Sequence, residues 1–155
     1  GVQTFALPIS PSKDKPFPVI RFTGGDLDGA RLDALLSLPA GIKQVVTRPL
    51  VGTTMIDDDD VLVVQGTATG GRSPVKLYFN KASGLLVRQV RYSDTMIGRV
   101  PVQVDYSDYR DVPGAGVKLP FHIMTTWTDG RADVVLTSAQ ANVAIDASKF
   151  NQPAR

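Results

Sequence analysis

Hydrophobic and polar residues alternate along much of the chain, a pattern typical of strands with one buried and one solvent-facing side. The clearest example is 100–106, where Val100, Val102, Val104 and Tyr106 alternate with Pro101, Gln103 and Asp105. A short first strand is predicted over 19–22, and further strands over the segments 42–47, 61–69, 75–80, 85–92, 118–128 and 131–138. Six or seven successive strands with short connections predict an antiparallel meander.

Glycine and polar residues mark the connections between these strands. A loop is predicted through Gly52 to residues 57–60, and residues 81–84 are predicted as a hairpin in which Gly84 adopts a positive φ. Thr128-Asp129-Gly130 is a further turn. A long antiparallel sheet must twist or close, which favours a curved half-barrel over the runner-up, an eight-stranded sandwich.

The period of the hydrophobic pattern changes near the N-terminus. Apolar residues at helical spacing there predict a short helix over 26–38, capped by Asp26 or Asp28. This helix is expected to cover the concave side of the sheet. A helical turn capped by Asp146 is predicted over 146–150. Residues 1–18 are rich in proline and are interpreted as an extended arm, whereas 19–155 are predicted to form a single antiparallel β domain.

Composition removes several classes of function. The chain has no cysteine and one histidine, which excludes disulfides, Cys-ligated zinc and C-x-x-C-H haem attachment within it. Its 17 basic and 15 acidic residues are interspersed, so no nucleic-acid footprint is predicted. No apolar run is long enough to span a bilayer. The start at Gly1 without methionine is what we expect of a processed product or an excised part.

Convergent catalytic or metal-binding residues are not evident in the sequence. His122 lies in a predicted strand with no acid that alternation would place beside it, so a structural role is predicted. The run from Asp57 to Asp60 lacks the spacing and glycine of a calcium loop and is interpreted as a solvated turn, with a cation as the alternative. We predict no catalytic residue, no metal and no cofactor, and therefore no enzyme.

Two surfaces remain as candidates for binding. The apolar side of the sheet is predicted to be a filled core, with a cavity for an acyl chain as the alternative. Its lining would be Leu77, Phe79, Val102, Val104, Phe121, Ile123 and Trp127. The mixed aromatic and charged segment 105–111 offers Tyr106, Tyr109 and Arg110 as a partner surface, although packed tyrosines and Asp–Arg pairs at a strand end are favoured.

The strand and turn motifs from Lys76 to Pro153 carry a resemblance. They include Leu77-Tyr78-Phe79-Asn80, Ser83-Gly84-Leu85-Leu86, Gly98-Arg99-Val100-Pro101-Val102-Gln103-Val104-Asp105-Tyr106, Val117-Lys118-Leu119-Pro120-Phe121 and Trp127-Thr128-Asp129-Gly130. This stretch resembles the β domain that follows the haem-binding part of bacterial multihaem proteins similar to the cytochrome c subunit of photosynthetic reaction centres. The pattern is also similar to lipoprotein carriers of the LolA and LolB type.

The resemblance implies a function that the motifs alone do not. It implies a periplasmic or cell-surface location, with the signal or upstream region absent from this chain. We expect a non-catalytic accessory domain that docks or scaffolds a multihaem c-type cytochrome in an electron-transfer assembly. The alternative is a carrier that binds lipid in the concave face of the sheet. Met96 and His122 lie near no haem attachment sequence and are assigned no role as axial ligands.

Overall fold

A computed structural model describes residues 24–36, 45–68 and 73–150. Seven antiparallel strands form one sheet in the same order as in the chain. They are β1 Val46–Ile56, β2 Asp59–Ala68, β3 Pro74–Asn80, β4 Leu86–Thr95, β5 Gly98–Val112, β6 Val117–Trp127 and β7 Gly130–Val135. The helix α1 Gly24–Leu36 precedes the sheet, and a 3₁₀ turn at Ala147–Phe150 follows it. The predicted fold, a curved β meander with one or two short helices, is confirmed.

Several details differ from the prediction. The loop expected through Gly52 is wrong, because β1 continues past this residue to Ile56 and only Asp57 and Asp58 form the turn. The sandwich is also wrong for the described strands, since all seven are hydrogen-bonded in one sheet. Helix α1 begins two residues earlier than predicted, so Asp26 lies in its first turn. The arm at 1–18 and the first strand expected at 19–22 lie outside the described residues.

Two of the hairpins are built from polar side chains and left-handed backbone. Asp57 and Asp58 both have positive φ values, 49° and 67°, as a two-residue turn of type I′ requires. In the β3–β4 connection, the Asn80 Oδ1 accepts hydrogen bonds from the backbone N–H groups of Ala82 and Ser83 at 3.0 and 2.9 Å. Gly84 has a φ of 70°, which confirms the predicted turn.

One face of the sheet is covered by α1 and carries the core. Residues that pair directly across strands share a face, and one such row runs from Val64 through Leu77, Gln89 and Val104 to Thr125. The core residues on and around this row are Leu32 from the helix, Val45, Ala68, Val75, Leu77 and Leu86. We call this the covered face, and the other side of the sheet the opposite face.

A group of polar side chains joins α1 to the covered face. The Gln89 Nε2 donates to the Asp33 Oδ1 at 2.6 Å, and the Arg91 Nη2 lies 3.4 Å from the Asp33 Oδ2. Gly29 makes room for this arrangement, because a Cβ atom there would lie 2.6 Å from the Arg91 Nη1. Asp33, Gln89 and Arg91 form the buried polar cluster, which fixes the position of the helix on β4.

None of the helices in the described ranges has the length and apolar character needed to cross a membrane.

Candidate functional site

The opposite face of the sheet carries a continuous set of hydrogen-bonding side chains. Tyr78, Arg88, Asp105, Met124 and Asp133 follow one another across β3 to β7 in a directly paired row. The Arg88 Nε binds the Asp105 Oδ1, and the Gln103 Nε2 donates to the Asp105 Oδ2 at 2.7 Å. Both oxygens of this carboxylate therefore have partners in the neighbouring side chains.

Beside this row, a serine, the histidine and an aspartate form a connected line. The Ser107 Oγ lies 3.1 Å from the His122 Nδ1, and the His122 Nε2 lies 3.1 Å from the Asp133 Oδ1. Ser107 and His122 are directly paired between β5 and β6, whereas Asp133 lies diagonally across on β7. We call these three residues the surface triad. The expectation that His122 has no acid beside it is wrong, because the β6–β7 pairing brings Asp133 to it.

The chemistry of the triad fixes its proton positions when the imidazole is neutral. A carboxylate only accepts hydrogen bonds, so the His122 Nε2 carries the proton and donates it to Asp133. The Nδ1 then accepts the hydrogen bond from the Ser107 hydroxyl. The Arg131 Nε lies 3.8 Å from the Asp133 Oδ2, which gives the carboxylate a second contact. The arrangement is that of a hydroxyl, a base and a group that orients the base.

The backbone changes direction immediately after Ser107. Asp108 has a φ of 53°, a left-handed conformation that is uncommon for aspartate within a strand. Its carboxylate forms a two-point pair with Arg110, which lowers the pKa of Asp108. Asp108 also interacts electrostatically with His122. The triad is thus flanked by a second carboxylate that is already paired with a cation.

A cavity of about 320 Å³ lies on the opposite face and reaches Ser107. Its charged and polar lining residues are Asp57, Asp59, Asn80, Arg88, Asp105, Tyr106 and Ser107, and its apolar ones include Ile56, Val61 and Met124. Three carboxylates against one guanidinium give this lining a net negative charge. Of the three triad members, Ser107 alone contributes to the lining.

The seven predicted lining residues of an acyl cavity lie on the covered face. They are Leu77, Phe79, Val102, Val104, Phe121, Ile123 and Trp127. Leu77, Val102, Val104 and Phe121 are buried, and Trp127 packs against Gly130 at the edge of the sheet. None of the seven lines the 320 Å³ cavity or the smaller one of about 220 Å³ beside β1.

The predicted partner surface consists of one exposed and two half-buried side chains. The Tyr109 hydroxyl donates to the Leu86 carbonyl oxygen at 2.6 Å, and burial raises the pKa of Tyr109 to about 12. Burial also raises the pKa of Tyr106, which packs on the core and interacts with Gln89. Arg110 is exposed and stacks 4.6 Å from the centroid of the Phe121 ring. Of the three, only Arg110 is available for extensive contact with a partner.

The aspartate run at 57–60 is divided between a turn and a strand. Asp59 accepts a hydrogen bond from Asn80 at 3.1 Å, and Asp60 pairs with Lys81 at 3.5 Å. Within the described parts of the chain, no three His, Cys, Asp or Glu side chains come together as a metal site would require.

The edge formed by β1 exposes apolar side chains. Leu50, Val51 and Met55 are 70%, 69% and 62% exposed. Among the described strands, β1 pairs only with β2, so the other side of its backbone lies at the edge of the sheet. From Pro49 to Ile56 the strand has no charged residue.

The surface triad was missed because sequence alternation gives the face of a residue but not its neighbour on the next strand. The signal was nevertheless present: a two-residue turn at Thr128-Asp129 pairs Trp127 with Gly130 and thereby places Asp133 on the face of His122.

Comparison with known proteins adds no assignment, since no family model, no curated protein and no solved structure matches the chain.

Proposed function

We propose that this chain is an interaction domain that docks a partner protein along the open edge of β1. The observation that carries the proposal is the exposed, uncharged stretch from Pro49 to Ile56, with Leu50 and Val51 on opposite faces of the strand. An extended segment of a partner can add to such an edge as a further strand. Backbone hydrogen bonds would supply affinity, and the apolar side chains would supply contact area. Docking by itself requires no reaction.

The choice of β1 follows from how proteins protect sheet edges. Charged residues and short strands prevent unwanted pairing. The other edge, β7, has six residues and carries Arg131 and Asp133, which contact each other. The longer β1 has neither protection over residues 49–56. This difference favours β1 as the edge that a partner covers.

The resemblance of 76–153 supplies the proposed partner, a multihaem c-type cytochrome in an extracytoplasmic electron-transfer assembly. The chain contains no cysteine, so covalently attached haem would belong to the partner or to another segment. A domain of this kind would hold the cytochrome in place without carrying electrons itself.

The alternative function, a lipid carrier, would use the covered face. Packing of α1 against buried Leu77 and Leu86 occupies the centre of that face, which favours docking over lipid transport. A carrier would need the helix to move away and open a space for an acyl chain.

The test is capture from an extract of the organism that produces the protein. Immobilised chain is compared with the variants Val51→Lys and Val134→Lys, which place a charge on the same face at the two opposite edges. Haem absorbance and mass spectrometry identify what is retained. We expect the unmodified chain and Val134→Lys to retain a haem protein. The amount retained by Val51→Lys should be about tenfold lower.

Equal retention by all three forms, or retention without haem, would contradict the proposal. An acyl lipid found at one copy per chain by native mass spectrometry would favour the carrier instead.

A further inference from the structure

We propose that Ser107 is an activated nucleophile that takes the acyl group from small carboxylic esters, with His122 as its base and Asp133 as the residue that orients the base. This goes beyond docking: the surface triad lies on β5 to β7, whereas the docking edge is β1, which the cavity reaches only at Ile56. The inference rests on the two 3.1 Å contacts that connect the three side chains and on the cavity that Ser107 lines.

Geometry gives each residue its role. The Ser107 hydroxyl donates to the unprotonated Nδ1 of His122, so the base lies at hydrogen-bonding distance from the proton it must remove. Asp133 accepts from the opposite ring nitrogen and holds both the tautomer and the ring orientation. Ser107 and Asp133 are exposed and His122 is half-buried, so a substrate can reach the serine hydroxyl without a change in the fold.

The reaction conserves atoms and charge. The Ser107 Oγ forms a bond to the ester carbonyl carbon, and its proton passes to the His122 Nδ1. The tetrahedral intermediate then collapses, the bond to the alkoxy oxygen breaks, and the leaving alcohol takes the proton from Nδ1. Water attacks the acyl-serine in the same way, gives its proton to Nδ1 and releases the carboxylic acid as the proton returns to Ser107.

The cavity defines the class of ester. Its volume of about 320 Å³ is at the lower end for small-molecule sites, which suits a short acyl group. Asp57, Asp59 and Asp105 line it together with Arg88, so a negatively charged ester is disfavoured and a neutral or cationic one is favoured. Arg88 is the only cation of the lining; its Nε already binds Asp105, so only its other guanidinium nitrogens are left to donate to the negatively charged intermediate.

The test uses p-nitrophenyl acetate as a neutral ester, acetylthiocholine as a cationic one and mono-p-nitrophenyl succinate as an anionic one. Peptide mass spectrometry locates the acyl group after brief exposure of the intact chain. We expect acetylation at Ser107, reduced about 10- to 100-fold by His122→Gln and abolished by Ser107→Ala. Ser138→Ala, which removes another exposed serine, serves as the matched control and should leave the adduct unchanged.

The variant Asp133→Asn distinguishes a role of Asp133 in orienting the His122 ring from a role in the stability of the fold. It should lower the acylation rate and change its pH profile while the circular dichroism spectrum stays the same. The proposal would be overturned if acylation were spread evenly over surface serines and lysines. It would also be overturned if His122→Gln left the rate of acylation at Ser107 unchanged. Faster reaction with the anionic ester than with the cationic one would overturn the assigned substrate class.

Discussion

The same sheet carries two polar clusters, one on each face, and their surroundings differ. In the buried polar cluster, Asp33 binds Gln89, whose side chain is fully buried, and Arg91, which is mostly buried. In the surface triad, Asp133 binds His122, which is half-buried, while Asp133 itself and Ser107 are exposed. Each cluster contains one carboxylate that contacts at least two side chains, Asp133 reaching Arg131 as well as His122. The difference in burial assigns the first cluster to the fold and leaves the second available to a ligand.

The free-energy cost of losing a hydrogen-bond partner explains why burial decides the role of each cluster. A buried polar group that loses its partner keeps the full cost of its desolvation, whereas an exposed one forms hydrogen bonds to water instead. The buried cluster must therefore remain intact for α1 to stay on the sheet. The triad contributes little to stability, and its arrangement is free to serve a reaction.

The largest expected difference between the two faces concerns neighbouring residues of β3. Leu77 on the covered face is 1% exposed, and Lys76 points to the opposite face. Leu77→Ala should lower the free energy of unfolding by about 2–5 kcal/mol, because it removes buried methyl groups and leaves a cavity. Lys76→Ala should change it by less than about 0.5 kcal/mol. Urea unfolding of both variants measures the difference, and similar losses would mean that the two faces are equally important to the core.

A second prediction concerns the contact between α1 and the sheet. An alanine in place of a glycine inside a helix normally stabilises it by about 1 kcal/mol. Gly29→Ala should instead destabilise the protein by about 1–2 kcal/mol, because the new Cβ would collide with the Arg91 guanidinium that Asp33 holds. Gly52→Ala is the control, since a Cβ there meets no atom within 4 Å. A stabilised Gly29→Ala in thermal unfolding would show that the helix lies loosely on the sheet.

A third, smaller effect follows from Tyr106 beside the buried polar cluster. Burial raises its pKa above the ordinary value of 10.0, so the unfolded chain ionises first as the pH rises. The contribution of Tyr106 to stability should be constant from pH 8 to pH 10 and fall above pH 10 by about 1 kcal/mol per pH unit. Tyr109, with a pKa near 12, adds to the same fall. Urea midpoints at pH 8, 10 and 11 should decline less in Tyr106→Phe, and an unchanged decline would exclude Tyr106 as its source.

The regular part of the fold was predictable from local patterns. Alternation located the strands, and the positive φ of Gly84 was expected from the turn between two strand segments. Asp146 also caps the predicted C-terminal turn, where its carboxylate accepts from the Ser148 N–H at 2.8 Å. These features depend on residues close to one another in the chain, which is why the sequence alone reveals them.

Features that depend on distant residues were not predictable in the same way. The strand through Gly52 was expected to be a loop, because glycine and the following aspartates are turn residues; pairing with β2 overrides that preference. The contact between Asp33 and Gln89 joins residues 56 positions apart. The surface triad needs the register of two strand pairs at once, and alternation by itself fixes neither.

The most direct test of the division between the clusters is the free energy of unfolding of Asp33→Ala measured beside Asp133→Ala. The substitution is identical, and each aspartate contacts at least two side chains. We predict a loss of about 2–3 kcal/mol for Asp33→Ala, which leaves a buried amide and a mostly buried guanidinium without this carboxylate, and less than about 1 kcal/mol for Asp133→Ala. Equal losses, or a larger loss for Asp133→Ala, would contradict the assignment of one cluster to the fold and the other to the surface.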